Sequence, residues 1–179
     1  MSLINQRIIF LIGFMGSGKS HTGKALAARM DCPFFDLDEY IEEKLSMSIS
    51  AIFDQKGEDY FRIEERKCLR DFGVLGKAVI ATGGGTSCFF DNMEWMKLHG
   101  VTVYLKASPS VLALRLENEK SKRPLIADFT EEALLDFIIN KLKERSPFYE
   151  QASVVFEQTS PDEDIMEELF KHYLNITGH

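Results

Sequence analysis

The feature that most constrains this chain is a glycine-rich loop between an apolar run and a helix-like segment. Residues 13–20 read GFMGSGKS and match GxxxxGK[ST] at every fixed position. The preceding RIIFLI (7–12) predicts a buried strand, and KSHTGKALAARM (19–30) has the apolar spacing of a helix. Such a unit binds phosphate, because its backbone NH groups turn inward and the helix N-terminus attracts anions. The alternative is a plain glycine-rich turn before a capping serine, and the complete motif in its required context argues against it.

The loop motif also assigns roles to side chains. We expect Lys19 to reach the outer phosphates of a bound nucleotide and Ser20 to ligate Mg²⁺. The other loop residues expected to bind the nucleotide phosphates are Gly16, Ser17 and Gly18. Switch GTPases, motor ATPases and small-molecule kinases share this loop, so it does not name a reaction. A guanine-reading NKxD is missing from the sequence, which weakens the GTPase interpretation.

Short β-rich runs alternate with helix-like segments along the whole chain. The runs are RIIFLI (7–12), PFFD (33–36), AVIAT (78–82), VTVYL (101–105) and SVVF (153–156). This alternation predicts a parallel α/β sheet covered on both faces, with ligands beyond the carboxyl ends of its strands. No repeat or Pro/Gly-rich linker interrupts the pattern, so we expect a single domain over residues 1–179. The irregular, polar segment 117–132 is either a lid or an ordinary surface loop.

Charge and cysteine content exclude several classes of function. The net charge is -7 over 179 residues, which argues against a nucleic-acid partner but leaves small anions open. The three cysteines form no CxxC pair, so we expect neither a disulfide framework nor a zinc site. The apolar run near the N-terminus is too short to cross a bilayer. We therefore expect a cytoplasmic protein without a membrane partner.

Two aspartates follow the second predicted strand, in FFDLDEYIEE. If the segment stays extended, Asp36 and Asp38 project to the same side. One carboxylate is then suited to hold Mg²⁺ and the other to deprotonate an attacking hydroxyl group. The alternative is that one of them only caps the helix that follows.

Taken together, the motifs of this chain resemble those of the shikimate kinases. The resemblance rests on the ordered motifs GFMGSGKS, FFDLDEYIE, IFDQKGEDYFRIEE, VIATGGG, KRPLI and ERSPFYEQA, which run from about residue 10 to residue 152. It implies a P-loop, nucleoside-monophosphate-kinase-like three-layer fold with a five-stranded parallel sheet in the order 2-3-1-4-5 and a lid. It also implies phosphorylation of the 3-hydroxyl of shikimate by ATP with Mg²⁺, in aromatic amino-acid biosynthesis, by a protein expected to be a monomer.

The resemblance also implies roles for individual residues. Asp38 matches the aspartate that contacts the shikimate hydroxyls and acts as the base, while Asp36 matches the one that places the metal. The residues that match the shikimate site are Arg62, Gly83, Gly84, Gly85 and Arg145. Two arginine forks suit a carboxylate, and residues without side chains let the backbone approach a ligand closely. Glu65 matches the glutamate that braces the acceptor-side arginine. Arg123, in KRPLI, matches the lid arginine that closes over the phosphates, so it is expected to be a catalytic and ATP-binding residue.

Some positions depart from the family pattern. His21, which the resemblance implies binds ATP through its backbone NH, stands where threonine is usual. Ala81 stands where some relatives carry a serine near the metal's water shell. Arg115 is assigned to the position of the arginine that contacts adenine in the family. Two further interpretations stay open: a related small-molecule kinase such as a gluconate kinase, and a nucleotide-binding interaction module without catalysis. The arginine pair and the triple glycine favour shikimate, and the joint presence of Lys19, both aspartates and Arg123 argues against a module.

Overall fold

The computed structural model describes residues 8–120, 124–159 and 167–171. At its centre lies a five-stranded sheet of Ile8–Ile12 (β1), Phe34–Asp36 (β2), Ala78–Ala81 (β3), Gly100–Ala107 (β4) and Val154–Gln158 (β5). The strands lie in the order β2-β3-β1-β4-β5, and every neighbouring pair is parallel. The predicted parallel sheet and its strand order are confirmed.

Helices connect these strands. Their bounds are Lys19–Met30 (α1), Leu37–Leu45 (α2), Ile49–Lys56 (α3), Glu58–Asp71 (α4), Asn92–His99 (α5), Pro109–Glu117 (α6) and Glu131–Tyr149 (α7). Short 3-10 turns lie at Phe72–Val74, Thr86–Cys88 and Pro124–Ile126, and residues 167–171 are helical. Within the described ranges, no helix has both the length and the apolar character needed to span a bilayer.

The central strand β1 is buried on both faces, as its unbroken apolar sequence requires. Ile8, Phe10 and Ile12 pack into the core formed with α2, α3, α4 and α5. Ile9 and Leu11 point the other way and pack with apolar residues of α1, β3, β4 and β5. Side chains alternate across a strand, so this one short run supplies both layers of the core.

A third apolar cluster supports the glycine loop itself. Phe14, inside the loop, is buried against Leu112 and Leu116 of α6 and Leu134 and Ile138 of α7. Ile126, in the 3-10 turn within the expected lid, belongs to the same cluster and is fully buried. The loop is thus anchored by side chains from helices far away in the sequence.

The helix N-termini differ in how they are capped. Side chains of Asp36, Ser48, Ser108 and Thr130 accept hydrogen bonds from the first backbone NH groups of α2, α3, α6 and α7. Helix α1 begins after Gly18 and has no such side-chain cap. The first NH groups of a helix have no partner within the helix, so those of α1 remain available to a ligand.

Candidate active site

The glycine loop connects β1 to α1 at the carboxyl edge of the sheet. Gly13, Gly16 and Gly18 have φ angles of 140°, 77° and 90°, in the region that L side chains rarely adopt. The Lys19 Nζ atom donates hydrogen bonds of 2.8 Å to the carbonyl oxygens of Gly13 and Phe14. The predicted phosphate loop is therefore formed, with the ammonium group of Lys19 held over it.

The loop is braced from behind by two residues of α6 and β5. Gln158 Nε2 donates to the Ser17 carbonyl at 3.0 Å, and Arg115 Nη1 donates to Gln158 Oε1 at 2.8 Å. The same Arg115 nitrogen lies 3.4 Å from the Gly16 carbonyl oxygen. The structure thus places Arg115 against the loop backbone. Gln158 was missed because the predicted last strand ended at residue 156, whereas β5 continues to Gln158; a strand end at this edge is the signal that would have found it.

Asp36 and Asp38 do not lie on one extended segment as the sequence indicated. Strand β2 ends at Asp36 and α2 begins at Leu37, so strand alternation does not relate the two carboxylates. Asp36 Oδ1 accepts the Asp38 backbone NH at 3.1 Å and caps the helix, while Asp36 Oδ2 accepts the Ser20 hydroxyl at 2.5 Å. Asp36 is therefore both the helix cap and the partner of Ser20, and Asp38 lies in the first turn of α2.

The Asp38 carboxyl group lies among charges of both signs. Its pKa is raised from 3.8 to about 7, chiefly by burial and then by the nearby carboxylates of Asp36 and Glu65, while Lys19 and Arg62 oppose the rise. A carboxyl group with a pKa near neutrality is suited to accept a proton during catalysis.

Arg62 lies on α4 with its guanidinium group held by two glutamates. Nη1 donates to Glu65 Oε2 at 2.9 Å, and Nε and Nη2 donate to Glu58 Oε1 at 3.1 and 2.9 Å. Glu65 is fully buried, whereas the side chain of Glu58 is 53% exposed. The guanidinium carbon also lies 4.1 Å from the centre of the Phe89 ring. The predicted brace between Glu65 and Arg62 is present.

The triple glycine after β3 is enclosed by the predicted site residues. A Cβ atom on Gly85 would lie 2.7 Å from Arg62 Nη2, and one on Gly83 would lie 2.8 Å from Asp38 Oδ1. Neither glycine has a positive φ. These glycines are therefore needed for close approach and not for an unusual backbone conformation.

Arg145, near the end of α7, approaches the middle glycine. Its Nη1 atom donates to the Gly84 carbonyl at 3.3 Å, and the buried Tyr149 hydroxyl donates to the same oxygen. The Arg145 guanidinium carbon lies 5.7 Å from the centre of the Phe14 ring. The structure thus brings Asp38, Arg62 and Arg145 together around three consecutive glycines.

Two further residues, His21 and Arg123, were predicted to bind the nucleotide. His21 is an exposed residue in the first turn of α1, so its backbone is the part placed near the loop. Arg123 lies outside the described residues, and its assignment stays a prediction. Of the expected lid at 117–132, the structure describes 117–120 and 124–132.

Comparison with known proteins gives one consistent family. A family model for shikimate kinase matches residues 15–175. The shikimate kinase of Bacteroides fragilis is 46% identical over 148 residues, which cover 83% of each chain. The crystal structure of a Bacteroides thetaiotaomicron shikimate kinase is similar with a TM-score of 0.89 at 39% identity, covering 97% of this chain and 99% of that one. A shikimate kinase from Acinetobacter baumannii, solved in complex with shikimate, has a TM-score of 0.80 at 31% identity and covers 96% and 92% of the two chains.

Proposed function

The chain belongs to the shikimate kinase family, and on this basis we propose how its residues carry the family's reaction. The enzyme transfers the γ-phosphoryl group of ATP to the 3-hydroxyl of shikimate. One observation carries the assignment of the acceptor site: Arg62 and Arg145 contact adjacent glycines, while Asp38 lies against the first glycine of the three. A small ring with a carboxylate at one end and a hydroxyl group at the other matches this arrangement.

The nucleotide side consists of the glycine loop and the uncapped start of α1. Backbone NH groups of the loop and helix surround the phosphates, and Lys19 exchanges its two carbonyl partners for phosphate oxygens. Lys19 is only 8% exposed, so little water screens the charge of its ammonium group. Its role is to stabilise negative charge that develops on the transferred group.

The oxygen donors beside the loop fit a magnesium ion. Ser20 Oγ and Asp36 Oδ2 are 2.5 Å apart, and both are hard ligands of the kind that Mg²⁺ prefers. Within the described residues, no cluster of three or more His, Cys, Asp or Glu side chains is arranged to hold a metal. A Mg²⁺ ion bound together with ATP would take its other ligands from phosphate oxygens and water. When bound, Mg²⁺ neutralises phosphate charge, with Ser20 and Asp36 as the residues that would hold it.

Asp38 is the proposed general base. The oxygen of the 3-hydroxyl bonds to the γ-phosphorus while the bond to the β,γ-bridging oxygen breaks, and ADP leaves with that electron pair. Asp38 takes the proton from the hydroxyl group. Its pKa of about 7 means that the carboxylate form is populated near neutral pH and still accepts a proton readily.

Arg62 and Arg145 are the proposed clamp for the shikimate carboxylate. A planar guanidinium fork matches the two oxygens of a carboxylate, and two forks fix the orientation of the ring. In the structure, the half-exposed Glu58 occupies the Nε and Nη2 donors of Arg62. We expect the substrate carboxylate to replace Glu58 there, while the buried Glu65 stays in place.

The lid remains part of the proposal. Arg123 would close over the phosphates, exclude water and complete the site. Ile126 is fully buried with Phe14 beneath the loop, which supports a closing segment anchored at this residue.

A coupled assay of ADP release tests the function as a whole. The enzyme is supplied with ATP, Mg²⁺ and either shikimate, gluconate or no acceptor. We expect turnover with shikimate and only background release in the other two reactions. Turnover with gluconate alone would favour the related small-molecule kinase, and no turnover with any acceptor would favour an interaction module.

A further inference from the structure

A chain of hydrogen bonds leads from Arg62 into the protein and back to its own helix. Arg62 donates to Glu65 at 2.9 Å, and the Thr86 hydroxyl donates to the other Glu65 oxygen at 2.6 Å. Asn92 Nδ2 donates to the Thr86 carbonyl at 2.9 Å, and Arg70 Nη1 donates to Asn92 Oδ1 at 3.1 Å. Since Arg62, Glu65 and Arg70 all belong to α4, these hydrogen bonds and the backbone of α4 together form a closed ring.

The middle of this ring is sealed from solvent. Glu65, Thr86 and Asn92 each have an exposed fraction of 0%. A carboxylate this deeply buried depends on its hydrogen-bond donors. Arg62 supplies a donor to one Glu65 oxygen and Thr86 supplies a donor to the other, so the hydroxyl of Thr86 fixes the side chain that fixes Arg62.

The ring connects α4 to the segment that follows the triple glycine. Thr86 comes directly after Gly85, whose α-carbon faces the Arg62 guanidinium so closely that a Cβ would lie 2.7 Å from Nη2. Arg70 lies about 7.5 Å beyond Glu65 along α4, at about 1.5 Å per residue. Because α4 is tied to the segment at both Glu65 and Arg70, it can neither tilt nor slide freely relative to the glycines.

Arginine-aromatic contacts follow the same boundary at one-turn intervals. Arg62 lies over Phe89, and Arg66 lies 5.3 Å from the centre of the Phe90 ring. Arg70 lies 4.6 Å from the centre of the Trp95 ring. Arg66 and Arg70 also both pair with Asp91, at 3.0 and 2.8 Å. The two arginines differ in one respect that matters here, since Arg70 also donates to Asn92.

We propose that Thr86, Asn92 and Arg70 are positioning residues that hold the Glu65–Arg62 pair against the triple glycine and thereby set the affinity of the acceptor site for a carboxylate. This inference rests on the proposed role of Arg62 in binding the shikimate carboxylate. None of the three side chains needs to touch the substrate. Their effect is to keep the guanidinium group in place before the substrate arrives, which lowers the cost of binding.

Thr86 offers a test with a matched pair of variants. Thr86→Val keeps the shape of the side chain but removes the hydroxyl donor, whereas Thr86→Ser keeps the hydroxyl. We expect Thr86→Val to raise the shikimate KM about tenfold, as the loss of one buried hydrogen bond to a charged group implies, with the ATP KM changed by less than about twofold. Thr86→Ser should recover most of the shikimate affinity. Equal effects of Thr86→Val on both KM values would indicate a merely structural role and overturn the proposal.

Arg70 and Arg66 provide a second pair that tests the distant end of the ring. Arg70→Met and Arg66→Met each remove an ion pair with Asp91 and a contact with an aromatic ring, but only the first also removes the donor to Asn92. We expect Arg70→Met to raise the shikimate KM about threefold to tenfold, the range of a weakened hydrogen bond, and Arg66→Met to leave it within about twofold. The same shift in both variants, or in neither, would contradict the proposal.

Arg62→Ala in the same series separates this inference from the proposed function. Calorimetric binding of shikimate without nucleotide gives the affinity directly, and thermal melting confirms that each variant is folded. If Arg62→Ala weakens shikimate binding while Thr86→Val and Arg70→Met do not, the positioning ring is wrong and the carboxylate clamp stands. If Arg62→Ala has no effect on shikimate binding, both are wrong.

Discussion

Asp38 and Gly83 approach each other so closely at the acceptor site that Asp38 Oδ1 lies 2.8 Å from the position that a Cβ atom would take on residue 83. Glu65 Oε1 and Thr86 Oγ1 each lie 3.0 Å from that same position. The space where a side chain of residue 83 would begin is thus bordered by the proposed base and by the carboxylate that braces Arg62. A methyl group there has no room unless one of these side chains moves.

We therefore predict that Gly83→Ala lowers turnover by about tenfold or more, because displacement of the base by a few tenths of an ångström disturbs a reacting geometry that tolerates little error. Gly85→Ala should mainly raise the shikimate KM, since its methyl group meets Arg62. Gly84→Ala is the matched comparison, because the nearest atom to its Cβ position is 3.4 Å away. Steady-state kinetics of the three variants should show the smallest effect at Gly84, and the largest effect there would contradict the packing argument.

Much of the fold and of the nucleotide site could be predicted because the signals are local. Continuous apolar runs indicate strands buried on both faces, and GFMGSGKS carries its loop geometry in three glycines with positive φ angles. The roles of the triple glycine and of the two arginines were implied by the resemblance to a family and not by a local signal. The glycines lie beside the phosphate loop because β3 and β1 are parallel neighbours whose carboxyl ends coincide. The two arginines reach this edge from helices α4 and α7.

What could not be predicted depends on contacts between distant parts of the chain or on a local preference that the fold overrides. Gln158 and Ser17 are separated by 141 positions, and no periodicity shows that they form a hydrogen bond. Asp36 ends its strand because its side chain caps α2, so the alternation expected for an extended segment stops there. Helix α7 runs through Pro147 to Tyr149, although proline usually disfavours helix at the preceding residue. That extension carries Tyr149 to the Gly84 carbonyl.

Lys19→Ala should leave the protein folded and reduce turnover by about a hundredfold or more, because a positioned charge at the transferred phosphoryl group is lost. Lys24→Ala is the control, since Lys24 is an exposed residue on the same helix and its ammonium group lies 5.7 Å from the centre of the Phe34 ring. ADP release and nucleotide affinity are measured for both. Near-normal ADP release from a folded Lys19→Ala variant would remove Lys19 from the mechanism.

Arg145 should act on shikimate and not on ATP. Arg145→Lys keeps the positive charge but loses the planar fork, so we expect the shikimate KM to rise about tenfold or more, with a larger rise for Arg145→Ala. The ATP KM should change little in either variant. An increase confined to the ATP KM would place Arg145 on the nucleotide.

The proposed lid should respond to substrates in a backbone hydrogen-exchange experiment. We expect the stretch from residue 120 to residue 129 to exchange more slowly when a non-hydrolysable ATP analogue and shikimate are both bound, because closure excludes water. Ile126 is already buried in the structure, so residues on either side of it should show the larger change. Identical exchange in the free and the doubly liganded protein would show that the segment is an ordinary surface loop.

Asp36 and Asp38 should be separable by mutation although they are two residues apart. Asp36→Asn alters the partner of Ser20, so it should shift the Mg²⁺ dependence of turnover and leave shikimate affinity nearly unchanged. A Mg²⁺ titration at saturating ATP and shikimate measures the first effect, and calorimetry measures the second. Asparagine still accepts the Asp38 backbone NH, so the cap of α2 is retained and a large loss of thermal stability would not be expected. A changed shikimate affinity with a normal Mg²⁺ dependence would reverse the two assignments.

The raised pKa of Asp38 predicts how activity depends on pH. With a pKa of about 7 in the folded protein, the base is protonated in acid and becomes competent as the pH rises through about 7. The kcat/KM for shikimate reports ionisation in the free enzyme, so it should rise across this interval. Asp38→Asn should lower turnover by about a hundredfold or more and abolish the rise, and a rise that persists in this variant would assign it to another group.

The same shift predicts the direction of a stability change. Below the ordinary pKa of 3.8, Asp38 is protonated in both the folded and the unfolded chain, and it contributes nothing to the pH dependence. Between about 4 and 7 the unfolded chain loses this proton first, so the folded protein binds more protons and its free energy of unfolding falls as the pH rises. Above about 7 the cost is complete and constant. Charges on Asp36 and Glu65 raise this cost, while those on Lys19 and Arg62 reduce it.

Asp38→Asn removes an ionisable group that is disfavoured in the folded state, so its melting temperature should exceed that of the unmodified protein by more at pH 8 than at pH 4.5. A difference in melting temperature that is the same at both pH values, or larger in acid, would show that the Asp38 carboxyl group does not titrate near neutrality. The proposed base would then lack its raised pKa.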